Sequence, residues 1–236
     1  MPVPARVPDR HMTRVAHLLY LHGFASSPAS AKAMRFQREL AAHGIGFGCP
    51  DFNEPSFETL TITRMLDQTQ QALDAVPMPG PVALVGSSLG AFIAVHAAAR
   101  DRGRRVDRLI LLAPALDLVG NPLQHLDERG LDQWRRTGRL RVFHHAYGEE
   151  RDLRFALWED VLRYDAWSLN VPVPILVYQG RQDESVSPAM VEAWARGRPN
   201  VELHMVDDGH QLSASMEAIW RSSERFLGLE GEPKPG

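Results

Sequence analysis

The chain predicts an α/β protein, a three-layer αβα sandwich around a mostly parallel sheet. Three observations point there. Short apolar runs alternate with longer segments of helical periodicity from His17 to Leu227. The first run, His17–Leu21, suits a strand buried on both faces, and strands separated by helices pair in parallel through right-handed crossovers. The 236 residues are 44% hydrophobic and 23% charged, enough for one domain (1–236) with a sizeable core.

His17–Leu21 is the first strand and stops at Gly23. Ser30–His43 reads as a helix, with Ala33, Phe36, Leu40 and Ala41 at helical spacing and Gly44 where the C-terminal stop belongs. Ile45–Cys49 is a second strand closed by Pro50, and Glu58–Val76 an amphipathic helix ended by Pro77. Val82–Val85 runs into Gly86, and the Ala-rich Leu89–Ala99 is helical. Leu109–Ala113 is the fourth strand; Ile175–Tyr178 and Val201–Val206 are the fifth and sixth, followed by helices at Ala189–Ala195 and Leu212–Leu227. The rhythm breaks once. Residues 117–170 show no strong strand, are rich in Arg, Trp and His, and read as a lid-like insertion with helical pieces such as Leu153–Leu162. Trp134, Phe143, Trp158 and Trp167 are expected to form its own core, with some of them facing an apolar acyl group as the alternative.

Composition excludes several classes. A net charge of −3 provides no global field for phosphate backbones, so no nucleic-acid partner is expected. One cysteine, Cys49, excludes an internal disulfide framework and a four-cysteine zinc site, and it reads as a half-buried strand-end residue. No stretch approaches the roughly 18–20 apolar residues of a membrane span. The opening Met-Pro-Val-Pro-Ala-Arg-Val-Pro-Asp-Arg lacks a signal peptide's apolar run, so the expectation is a cytoplasmic protein with a frayed tail at Gly231–Gly236. Of 26 basic residues only Lys32 and Lys234 are lysines, a bias read as coding composition without functional weight. Gly44-Ile45-Gly46-Phe47-Gly48 is no dinucleotide fingerprint, and neither a Walker A nor an H-E-x-x-H pattern occurs, so no dinucleotide, P-loop or zinc-helix site is expected and no metal is assigned. His144-His145 reads as a solvated pair.

The sharpest chemical signal is Gly86-Ser87-Ser88-Leu89-Gly90, a G-x-S-x-G that follows a strand and opens a helix. In so tight a turn, side chains at Gly86 and Gly90 would collide with the neighbouring strand and helix. The turn lifts the Ser88 hydroxyl clear at the C-terminal edge of the sheet and puts the Leu89 N–H at a helix N-terminus, where an oxyanion is favoured. A hydroxyl needs a base, and the base an orienting acid. His210 follows the sixth strand and Asp183 the fifth, so both loops leave the sheet at the edge that carries Ser88. Asp117, after the fourth strand, is the alternative acid; Asp207 and Asp208 read as turn residues. His22-Gly23-Phe24 lies after the first strand, where the Phe24 N–H supplies a second oxyanion donor and His22 a structural hydrogen bond.

These residues resemble a known group. Leu18-Leu19-Tyr20-Leu21-His22-Gly23-Phe24 with Gly86-Ser87-Ser88-Leu89-Gly90, Asp183 and His210 is similar to the α/β-hydrolase superfamily. Ser26-Ser27-Pro28-Ala29-Ser30-Ala31-Lys32-Ala33 narrows the resemblance to the small bacterial YqiA-like esterases. The close match covers residues 18–40 and 82–95, while the acid and histidine loops match in short motifs and residues 117–170 are longer than in compact relatives. The resemblance implies a cofactor-free serine esterase. The expected activity is hydrolysis of small-molecule carboxylic esters of short to medium acyl chains through an acyl-enzyme on Ser88. A thioesterase, a small-amide hydrolase and an inactive binding module stand as alternatives, and the oligomeric state is left open.

Overall fold

A computed structural model describes residues 13–77, 80–120 and 126–230. The expectations for the two termini lie outside these residues. A six-stranded, all-parallel sheet forms the centre, in the order β2-β1-β3-β4-β7-β8. Its strands are β1 (His17–Leu21), β2 (Gly46–Gly48), β3 (Val82–Ser87), β4 (Val106–Leu112), β7 (Ile175–Gly180) and β8 (Val201–Val206). Every strand expected from the sequence is present.

Strand side chains alternate between two cores. Leu19, Leu21, Leu84, Leu109, Leu111, Ile175 and Val177 face one layer, which contains helices α2 (Ile62–Ala75), α3 (Leu89–Arg100) and α6 (Pro188–Ala195). Leu18, Tyr20, Ala83, Val85, Ile110, Leu112 and Leu176 face the other, which contains α1 (Ala31–Ala41) and α7 (Met216–Phe226). This is the three-layer sandwich that the continuous apolar runs implied, since both faces of each central strand are covered.

Helix ends follow local chemistry. The Ser30 hydroxyl accepts from the Ala33 N–H at the start of α1. Gly44, at φ +65°, lets the chain leave α1, with the Ile45 N–H returning to the Leu40 carbonyl. The helix expected over Glu58–Val76 is divided. Phe57–Thr59 forms a single 3₁₀ turn, and Thr61 restarts the chain as α2 by accepting from the Arg64 N–H at 3.1 Å. A residue from the 117–170 segment supplies a second cap: buried Asp160 accepts from the Thr63 N–H at 2.7 Å and the Thr63 hydroxyl at 2.8 Å.

Residues 117–170 correct the sequence reading most. They contain α4 (Glu128–Thr137), an antiparallel hairpin of β5 (Arg139–His144) and β6 (Glu149–Arg154), and α5 (Ala156–Val161). The hairpin was missed because β6 buries a single side chain fully, Leu153, and its outer positions carry cross-strand pairs such as Arg139–Asp152 at 3.2 Å. Trp134 and Trp158 are buried, yet in the main core rather than a separate one, whereas Phe143 is 47% and Trp167 39% exposed. His144 is also a correction, being fully buried where a solvated residue was expected. Its Nε2–H donates to Asn53 Oδ1 at 2.9 Å while Nδ1 accepts from the Tyr147 N–H, which satisfies both ring nitrogens. No helix among the described residues is long and apolar enough to cross a membrane.

Candidate active site

The strand-to-helix turn at Ser88 has the strain its sequence implies. Ser88 sits at φ +53°, ψ −116°, a conformation L-residues avoid and hold only where the surroundings enforce it. Its N–H donates to the Leu112 carbonyl of β4 at 2.9 Å, and its carbonyl accepts from the Ala91 N–H at 3.0 Å and the Ala115 N–H at 3.3 Å. Between residues 82 and 97 Ser88 alone is not buried. The two flanking glycines are steric necessities. A Cβ at Gly86 would lie 2.5 Å from Ala91 Cα, and one at Gly90 would lie 1.9 Å from the Leu21 carbonyl oxygen. Close packing of α3 on β1 therefore depends on Gly90.

The acid and histidine come from the neighbouring strand ends. Asp183, after β7, receives the His210 imidazole at 2.9 Å (Nδ1 to Oδ2), while Asp117 makes a turn bond to the Gly120 N–H at 2.7 Å. Geometry thus selects Asp183 as the histidine's partner. Burial works to raise the Asp183 pKa. The hydrogen bond from His210, those from the Val186 N–H and Gln179, and the His210 charge outweigh it and hold the carboxyl below its ordinary value. An ionised Asp183 accepts only, so His210 Nδ1 carries the proton and a neutral ring presents an unprotonated Nε2. The Asp183 side chain is fully buried and fully used. Oδ1 accepts from the Ser185 N–H at 2.9 Å and the Val186 N–H at 2.8 Å, and Oδ2 accepts from Gln179 Nε2 at 2.9 Å. Gly180 allows this convergence, since a Cβ there would meet the Asp208 carbonyl oxygen at 2.4 Å. Asp208 accepts from the Gly209 and Ser215 N–H groups, and Asp207 from Gln182, the turn roles expected of them.

The His22-Gly23-Phe24 loop lies against the elbow, where a Cβ on Gly23 would be 3.1 Å from the Ser87 carbonyl oxygen and 3.4 Å from Ser88 Cβ. His22 is structural in its contacts. Nδ1–H donates to the Gly23 carbonyl at 3.0 Å, and Nε2 accepts from the Phe52 N–H at 3.0 Å, so the ring joins this loop to the segment after β2. The hairpin tip joins too, through the Ala146 N–H to the Ala25 carbonyl at 3.3 Å.

Ser88, His210, Gly23 and Phe24 open into one cleft of about 1070 Å³. Met34, Val186, Met190 and Met216 contribute apolar lining, and residues 117–170 contribute Asp117, His145 and Ala146. Trp158 and Phe143, the candidates for roofing an acyl slot, do not line it. Sequence reasoning missed Gln179, His144 and Lys32. His144 and Lys32 act through partners distant in sequence, Gln179 through Asp183 four positions on, and only Lys32 carried a signal, as one of two lysines. Cys49 is half-buried, as expected, and burial, with Asp51 nearby, pushes its thiol up to about 12. No cluster of three or more metal-ligating side chains occurs among the described residues.

An all-parallel six-stranded sheet with a strained serine turn at its C-terminal edge after β3, and an acid and a histidine after β7 and β8, defines an α/β-hydrolase fold. Solved structures agree on that fold. A protein of Agrobacterium vitis S4, provisionally described as a hydrolase, superposes with a TM-score of 0.79 at 23% identity, over 94% of this chain and 91% of that one. The mouse alpha/beta hydrolase domain-containing protein 10 gives 0.73 at 20% identity over 89% of both chains. Est1E from Butyrivibrio proteoclasticus gives 0.69 at 18% identity, over 91% and 87%. No curated protein matches the sequence significantly. Residues 17–226 match the profile described as "Uncharacterised protein family (UPF0227)", and the chain belongs to that family.

Proposed function

We propose that the protein is a serine hydrolase acting on carboxylic esters of short to medium acyl chains, folded as a single domain with residues 117–170 as an insertion beside the site. The observation that carries this reading is that His210, held by buried Asp183 at 2.9 Å, lines the same cleft as Ser88. In the proposed mechanism His210 Nε2 takes the Ser88 proton as the hydroxyl oxygen attacks the ester carbonyl. The N–H groups of Leu89 and Phe24 stabilise the oxyanion, and Gly86 and Gly90 permit the turn that aims them. His210 then protonates the departing alcohol. A water deprotonated by the same imidazole frees the acid and regenerates Ser88. Asp183 fixes the tautomer and stabilises the transient imidazolium without itself taking the proton.

Acyl length rests on the cleft's lining. Met34, Val186, Met190 and Met216 offer apolar surface to an acyl chain, and each methylene they cover contributes up to about 0.8 kcal/mol. The reading is tested by measuring kcat/KM for 4-nitrophenyl esters from acetyl to dodecanoyl, with Ser88→Ala as the blank. Activity should rise with length, peak at short to medium chains, and vanish in Ser88→Ala. Turnover that survives Ser88→Ala would contradict it.

A further inference from the structure

One cation in the catalytic cleft has no ionic partner. Lys32, on the first turn of α1, lines the same cleft as Ser88 and His210, and it is half-buried there. Its ammonium donates to the carbonyl oxygen and the side-chain Oε1 of Gln211 at 3.0 and 3.1 Å, both uncharged acceptors. Three N–H bonds radiate from a lysine nitrogen, so one donor and the whole charge are left over. No carboxylate approaches within the 4.0 Å ion-pair distance of it among the described residues. The other two cations of the helix are engaged. Arg35 pairs with Glu39 and Glu217, both at 2.7 Å, and Arg38 pairs with Glu39 at 3.3 Å. Burial lowers the Lys32 pKa to about 8, against the pull of Asp183 and Asp208, which favour its charged form from the loops after β7 and β8. A desolvated ammonium facing a substrate cleft without a counter-ion is costly, and a ligand anion removes the cost.

We infer that Lys32 is a specificity residue that binds a carboxylate carried by the substrate at a distance from the scissile ester. This rests on the hydrolase reading and adds the substrate's charge. One free donor and one charge suit a carboxylate monoanion, and Lys32 is the cation of this helix that no carboxylate approaches within ion-pair distance among the described residues. Gln211 follows His210 directly, so the anion site and the general base share one loop. A purely structural role for Lys32, holding that loop through the Gln211 carbonyl, is the competing explanation. It predicts equal damage to every substrate.

The experiment compares matched esters differing in charge. 4-Nitrophenyl hydrogen adipate against 4-nitrophenyl hexanoate places the carboxylate on the acyl side, and 3-butyryloxybenzoate against phenyl butyrate places it on the alcohol side. For at least one pair the wild type should prefer the anionic ester. In Lys32→Met, or Lys32→Gln if that variant folds better, the anionic-to-neutral ratio of kcat/KM should fall about tenfold, mainly through KM. Lys32→Arg should restore most of the ratio. Replacing a half-buried cation that has no counter-ion should move Tm little, since the bonds lost are the two to Gln211. Hydrolysis of the neutral esters with a ratio unmoved by Lys32→Met in both pairs overturns the carboxylate inference alone. Failure to hydrolyse any of the four esters overturns the esterase reading and this inference together.

Discussion

Replacing Asp183 by asparagine is the substitution whose consequences the structure defines most fully. The two are isosteric, but an amide has one acceptor end and one donor end. At Oδ1 stand the Ser185 and Val186 N–H groups, at 2.9 and 2.8 Å, both fixed backbone donors. The asparagine oxygen must therefore take the Oδ1 position, which sends its NH₂ to the Oδ2 position. That position faces Gln179 Nε2 and His210 Nδ1, each at 2.9 Å. Gln179 can adapt by turning its amide, because its Oε1 is buried without a partner as it stands. His210 Nδ1 stands 2.9 Å from the NH₂ position and 3.1 Å from the oxygen, which already accepts two backbone N–H groups, so the amide favours the tautomer that carries the proton on Nε2, the atom that must be bare to receive the Ser88 proton. The variant should fold, with a stability loss of about 1–3 kcal/mol from the disturbed bonds at Gln179. Its kcat should fall by about four orders of magnitude, the loss seen when a triad histidine is held in the wrong tautomer and close to 5 kcal/mol of barrier. Stopped-assay kinetics on 4-nitrophenyl butyrate, with urea unfolding beside it, measures both. Asp117→Asn keeps an acceptor for the Gly120 N–H and should cost no more than a few-fold. An Asp183→Asn enzyme retaining over a tenth of its kcat, or an Asp117→Asn enzyme that loses activity instead, would refute the reasoning.

Three further outcomes follow from the same geometry. Gly90→Ala should destabilise by at least the ~1–3 kcal/mol of an overpacked core and cut kcat by about a hundredfold through the displaced elbow. Helix propensity alone predicts a gain of up to about 1 kcal/mol, so unfolding and kinetic assays giving that sign would reject the steric argument. Asp183 titrates below its ordinary value when folded, so its stabilisation is complete above the unfolded aspartate pKa of about 3.9 and is lost as pH falls through the lower folded value. Wild-type urea midpoints should accordingly drop more steeply between pH 5 and pH 2 than those of Asp183→Asn, and parallel curves would contradict this. His144→Phe keeps the ring packing on Tyr147 but leaves buried Asn53 Oδ1 unpaired, for an expected loss of about 1–3 kcal/mol in urea unfolding; a neutral result would show that the Asn53 contact carries no stability.

The sheet was readable because its central strands β1, β3, β4 and β7 are buried on both faces and announce themselves as short apolar runs without needing their neighbours. The elbow was readable for a related reason: a local steric demand writes Gly86, Ser88 and Gly90 into five consecutive positions. Choosing Asp183 over Asp117 was harder, since both follow strands. What separates them is register, which brings β7 and β8 side by side and leaves Asp117 to cap its own turn. The β5–β6 hairpin escaped because its partners are charges; its signal was the alternation of Arg139-Leu140-Arg141-Val142, a period-two pattern without an apolar run. His144 and Lys32 could not be placed at all. A buried histidine is acceptable where Asn53 pairs with it, and a lysine beside Gln211 depends on residues 179 positions apart meeting in space.

The central claim is that Ser88 is a nucleophile activated by His210. A fluorophosphonate reacts with such a serine and with few others, so intact-protein mass spectrometry followed by peptide mapping tests it directly. The predicted result is a single adduct on Ser88, formed at least a hundredfold more slowly in His210→Ala and absent in Ser88→Ala. An unmodified folded protein, an adduct on Ser87, or labelling that proceeds equally fast without His210 would contradict it.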